Sequence, residues 1–120
     1  MKKLFVALFL ALSFCMPSFA ASWYWIGHNK AGEQFYIDNS SVTKDSQKAV
    51  IWEKVISSDG SFNIKQMAFL RQKSFAILTV YVYDSNGNLV NRIMNYSNYH
   101  WIDIVPGSMG DALYYAIWPY

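Results

Sequence analysis

Thiols are the first absence in this 120-residue sequence: it holds one cysteine, Cys15, inside the first twenty residues. A chain cut beyond that point has no disulfide and no cysteine metal site, so packing alone must hold it together. Histidine is almost as scarce. His28 and His100 stand far apart in sequence with no thiol near either, which removes the close ligand spacing that a metal site needs. Charged residues make up only 15 %, and no block of like charge, repeat, linker or low-complexity tract interrupts the chain. Nucleic acid and anionic lipid both call for a clustered basic face, and none is written here.

The N-terminus has a different character. MKKLFVALFLALSFCMPSFA opens with Lys2 and Lys3, continues with an apolar stretch from Leu4 to Met16, and closes on Ser18 and Ala20 as a small-x-small cleavage pattern. We read residues 1–20 as a secretory signal peptide cut after Ala20, which makes the protein exported, to the periplasm or the cell surface. Pro17 interrupts the run well short of the roughly 20 apolar residues that a membrane span requires. Lipidation at Cys15 is the lesser alternative, because Phe14 is bulky where lipoprotein processing favours a small residue. The ten Lys and Arg include the two signal lysines, so eight remain against eight Asp and Glu, and the mature part is near neutral. Residues 21–120 are enough for one domain, burying about two-thirds of its unfolded surface.

What the sequence does have is strand chemistry. SWYWIG (22–27), EQFYID (33–38), AVIWEKVIS (49–57), SFNIKQMAFL (61–70), SFAILTVYVY (74–83) and LVNRIMNY (89–96) are separated by polar or glycine-bearing breaks. The clearest break is Asp84-Ser85-Asn86-Gly87-Asn88, where Asn-Gly tolerates the positive φ of a tight hairpin. A short turn or a single helical turn is expected over 39–44. Alternation sets Val80 and Val82 against Tyr81 and Tyr83, and Trp23 and Trp25 against Tyr24 and Ile26. Neither face is plainly polar, so the sheet needs a cover on both sides.

One cover is legible. Trp101, Ile102, Ile104 and Val105 lead into Pro106-Gly107, which halts pairing and redirects the chain. Ser108 then stands where an N-cap belongs, with Asp111 in the first helical turn. From Met109 to Trp118 the pairs Leu113/Ile117 and Tyr114/Trp118 recur at spacing four, and Pro119 ends the run. The expected fold is therefore α+β, a single six-stranded antiparallel meander sheet with a short C-terminal α-helix packed on one face. Trp101, Pro106, Gly107, Ser108 and Trp118 form its latch. The second face is left to a partner subunit, a ligand or long side chains.

Chemistry-bearing patterns are few. Ser108 lies in G-S-M-G, which is not a nucleophile elbow. The aspartates fall at turns, caps and strand ends, and no phosphate-cradling glycine loop is present. Neither catalytic residues, nor a metal, nor a cofactor is expected. Most aromatics belong to the core, since strands select them. The exception is the run from Asn95 to Trp101, where aromatic and amide side chains alternate. Such mixtures make rigid yet adaptable binding surfaces, so Tyr99 and His100 are the candidate ligand-binding residues.

Taken in order, Trp25-Ile26, Phe35-Tyr36-Ile37-Asp38, Val42 and Val50-Ile51-Trp52, then Tyr83-Asp84 with Gly87, then Trp101, Ile104, Pro106-Gly107-Ser108 and Gly110 span almost all of the mature chain. In that order and spacing they resemble the surface-adhesin protein E family of small exported bacterial domains. The resemblance implies six antiparallel strands with a C-terminal helix, pairing as a homodimer, and adhesion to host matrix or serum proteins. Many members carry two cysteines at positions that here hold Leu70, or a near neighbour, and Trp118, so packing would replace that disulfide. The functional expectation is an exported surface or periplasmic binding protein that recognises a protein ligand without catalysis. A structural or accessory envelope protein and a hydrolase using a carboxylate pair stand as alternatives.

Overall fold

The structure, a computed structural model, describes residues 21–94 and 99–119. Its strands are β1 (Trp23–His28), β2 (Gln34–Asp38), β3 (Thr43–Lys44), β4 (Lys48–Ile56), β5 (Phe62–Leu70), β6 (Ser74–Tyr83), β7 (Leu89–Met94) and β8 (Ile102–Asp103); helix α1 (Met109–Ile117) follows. All the strands lie in one open antiparallel sheet. The main path runs β1-β2-β4-β5-β6-β7, with β3 beside β4 and β8 beside β6.

The expected count of six strands is corrected to eight, and the extra two are fragments of interrupted strands. β2 pairs β4 up to Ile37–Glu53, and β3 resumes along the same strand at Thr43–Val50. Likewise β7 pairs β6 up to Met94–Thr79, and β8 resumes at Ile102–Phe75. The first interruption has a visible cause. Asp38 Oδ1 accepts from the Ser22 N–H (2.9 Å), the Ser40 N–H (3.0 Å) and the Ser40 hydroxyl (2.7 Å), while Oδ2 accepts from the Ser41 hydroxyl (2.7 Å). An aspartate gathering its downstream donors makes a turn out of what would otherwise be strand. Residues 95–98, in the second interruption, lie outside the described residues, as do the signal segment and Cys15.

Turn chemistry works as its residue types dictate. Asp84 Oδ1 accepts from the Asn86 and Asn88 N–H groups, each at 2.9 Å, and Gly87 takes φ 86°, which an L side chain rarely adopts. Register shifts interrupt the pairing in β1, β6 and β7 and bend the sheet locally.

The register assigns the faces. Ala49, Ile51, Glu53 and Val55 of β4 stand opposite Phe69, Met67, Lys65 and Asn63 of β5. On this side Ile37, Ala49, Ile51, Met67 and Phe69 meet Leu113, Tyr114, Ile117 and Trp118, with Ile104 completing the buried cluster. Each fully buried aliphatic or aromatic side chain contributes about 1.5–3 kcal/mol, so the seam between helix and sheet is the main stabilising contact.

The latch is held by polar ties as well as packing. Ser108 Oγ accepts from the Asp111 N–H (3.3 Å), and Asp111 reaches back to the Gly107 N–H (2.9 Å). Lys73 Nζ pairs with Asp111 at 3.0 Å. The Tyr114 hydroxyl donates to the Arg71 carbonyl, Trp118 Nε1 donates to the Asp45 carbonyl, and Lys44 Nζ caps the Ile117 carbonyl. Trp118 packs on Tyr114 and under the Arg71 guanidinium, beside the end of β5. Of the four apolar residues before Pro106 only Ile104 is buried; Trp101, Ile102 and Val105 face out. No described helix is long and apolar enough to cross a membrane.

Candidate functional site: an aromatic cleft on the uncovered face

The alternate residues of the same strands build the other side. Lys54 of β4 stands between Tyr36 of β2 and Ile64 of β5, and Ile64 faces Tyr81 of β6; in the next rows lie Trp52 opposite Gln66, and Phe62 opposite Tyr83. Trp23 joins this side through its pairing with Asp38. Helix α1, the one helix among the described residues, is on the opposite face, so nothing described lies across this one. The result is a face paved with half-buried rings.

These rings frame a cleft of about 390 Å³, lined by Trp23, Asp38, Ser41, Trp52, Ile64, Tyr81 and Tyr83. A smaller hollow of about 160 Å³ adjoins it, shares Trp23 and adds Tyr36, Lys54 and Ile56. The rings brace one another. Phe62 stacks on Tyr83 with centroids 4.7 Å apart, and Trp52 leans on Tyr81 at 6.3 Å. Lys54 Nζ lies 4.8 Å from the Phe62 centroid and 5.6 Å from that of Trp23. An ammonium at such distances is attracted by the ring quadrupoles.

The cleft's one carboxylate is spoken for. Burial pulls the Asp38 carboxyl upward, but the Ser22 N–H, the Ser40 and Ser41 hydroxyls and the Ser40 N–H outweigh it, so it titrates below its ordinary value. Its role in the fold is to tie the start of β1 to the turn after β2. The cleft therefore supplies ring area from its indole and phenol side chains, and the hollow beside it supplies one ammonium. By contrast, the other buried carboxylate, Glu53, lies on the helix side, 3.2 Å from Lys65. Burial raises its pKa, the Lys65 ammonium opposes that rise, and Glu33 adds to it.

The residues singled out from sequence lie elsewhere. Tyr99 is half-buried and edge-on to Trp101 at 5.6 Å, His100 is exposed, and both precede β8 on the far margin of β6; neither lines the cleft. Tyr96 lies outside the described residues. His28 ends β1, stacked on Trp25, whose Nε1 donates to Gln34. Among the described residues no three His, Cys, Asp or Glu side chains gather as a metal site.

Trp23, Trp52, Tyr81 and Tyr83 were not singled out from sequence as site residues. The signal was present in the alternation of Tyr81 and Tyr83 with Val80 and Val82, which puts the rings of that strand on one side. Missing was the knowledge of which side the helix would take. No family model, curated protein or solved structure matches this chain.

Proposed function

We propose that this chain is an exported, adhesin-like binding protein of the bacterial surface or periplasm, which holds a protein ligand on its uncovered aromatic face and catalyses no reaction. The observation that carries this reading is the cleft bounded by Trp23, Trp52, Tyr81 and Tyr83 on the side of the sheet opposite the helix. Tyrosine and tryptophan dominate the energetics of protein interfaces because they offer large, rigid area with a polar tip. The resemblance to the surface-adhesin protein E family and the signal-like residues 1–20 support the location and the class. The homodimer implied by the same resemblance has a separate surface to use: β7 is a sheet edge, with Leu89, Val90, Ile93 and Met94 all exposed.

The test is capture of envelope, matrix and serum proteins on the immobilised mature chain, with Trp52→Leu and the double variant Tyr99→Ala/His100→Ala in parallel. Capture that is lost in the Trp52 variant and kept in the double variant supports the reading. Capture that survives Trp52→Leu in a folded protein, or no capture at all, overturns it. Protease treatment of intact cells separates the surface, where the chain is digested, from the periplasm, where it is protected.

A further inference from the structure

Lys54 is set apart from the other lysines whose side chains reach across the fold. Lys65 is paired with Glu53, Lys73 with Asp111, and Lys44 with the end of α1. Lys54 lies half-buried among rings, on Phe62 and Trp23, with no carboxylate partner among the described residues. Asp38, the acid of the cleft, is ionised but has both oxygens engaged by Ser22, Ser40 and Ser41 rather than by Lys54, so the ammonium keeps its own charge for a ligand. Seen by a ligand, the site is a ring platform with a hydrogen-bonded carboxylate in the cleft and, in the adjoining hollow, an ammonium that has no ion-pair partner among the described residues.

The hydrogen-bonding groups narrow the choice further. The indole N–H groups of Trp23 and Trp52 and the hydroxyls of Tyr81 and Tyr83 make no hydrogen bond among the described residues, and all four side chains line the cleft. Together with the ammonium they form a set rich in donors. A peptide brings obligatory backbone N–H donors that need acceptors, which this lining scarcely offers. A sugar brings hydroxyls that rotate to accept, and an apolar C–H face that lies flat on a ring.

Resting on the binding role proposed above, we infer that the ligand determinant held here is an acidic sugar: a pyranose stacked on the Trp23–Trp52–Tyr81 rings of the cleft, with its carboxylate reaching past Trp23 to Lys54 in the adjoining hollow. The ammonium is pre-positioned by the two rings, so little side-chain freedom is lost when the carboxylate arrives. Hydrogen bonds to an ionised group are the strong ones, so charge rather than ring contact sets the preference among sugars. The protein ligand of the proposed function is then bound through its glycan.

The experiment titrates the mature chain with 3′-sialyllactose, lactose and an acidic hexapeptide of Asp and Glu, following tryptophan fluorescence and the heat of binding. Saturable binding of sialyllactose is expected, at least tenfold tighter than that of lactose and of the peptide. Lys54→Met keeps the apolar stem and removes the charge; it brings sialyllactose down to the lactose level with an unchanged melting temperature. Equal binding of the two sugars, no binding of either, tighter binding of the peptide, or indifference to Lys54→Met overturns the inference. Protein capture that depends on Trp52 but survives sialidase treatment of the captured protein sinks the sugar and leaves the proposed function standing. Capture indifferent to Trp52 sinks the proposed function itself.

Discussion

The two faces of this sheet start from similar material and meet opposite fates. Both carry large apolar side chains, yet on one side Phe69, Ile51, Leu113 and Ile117 are sealed at under 2 % exposure, while on the other Trp52, Tyr81 and Tyr83 stay half-open. The difference is residue shape and what lies opposite. The helix side is built largely of aliphatic and small residues that interdigitate with the stripe on α1, and its buried carboxylate, Glu53, is paired with Lys65. The cleft side is built of amphipathic rings, whose polar tips need water or a ligand. One face is spent on stability, and the other is free for recognition.

This contrast can be broken most sharply at the seam. Ile117→Ala opens a cavity between α1 and the sheet and costs about 3–5 kcal/mol, read from urea denaturation of the mature chain. Lys65→Met comes next. It leaves Glu53 buried without its counter-charge, at a cost near 2–4 kcal/mol at neutral pH, because removing one partner strands the other. The pH dependence has a definite sign. The folded Glu53 pKa already lies above its ordinary 4.5 and rises further without Lys65, so the deficit is small below about pH 4 and grows as pH rises through the folded value. Denaturation midpoints of variant and parent at pH 4, 6 and 8 check this. Asp38, whose folded pKa is lowered, acts in the opposite sense: its contribution is present above 3.8 and fades as pH falls through the folded value.

The smallest effect belongs to the cleft. Tyr81→Leu changes stability by no more than about 1 kcal/mol, as expected for a half-open side chain outside the sealed cluster, and weakens ligand capture. If thermal melts show Tyr81→Leu costing as much as Ile117→Ala, the two faces are not divided between stability and recognition, and the contrast fails.

Much of this architecture could be read from local chemistry. Asp84 and Gly87 announce the β6–β7 hairpin because side-chain acceptance and positive φ are properties of those residues alone. Ser108, Asp111 and the spacing of Leu113 and Ile117 announce α1 for the same reason. The turn after β2 was legible over 39–44, and the chain does turn at 39–41; less legible was that it resumes pairing with β4 at Thr43–Lys44, and that Asp38 is fixed there by a donor from Ser22, sixteen residues back, as well as by Ser40 and Ser41. The cleft was the least legible. Tyr99 and His100 attracted notice as a cluster along the chain, whereas Trp23, Trp52 and Tyr81 come from three strands that only pairing sets side by side.

What the sequence determined by itself was therefore whatever depends on nearest neighbours: strands, turns, the capped helix, and the alternation that sorts each strand's side chains onto two faces. Only the tertiary structure decided which side the helix would seal, and so which rings stay open around an unpaired ammonium. That choice rests on register and packing summed over the whole sheet, and no short stretch of chain contains that sum.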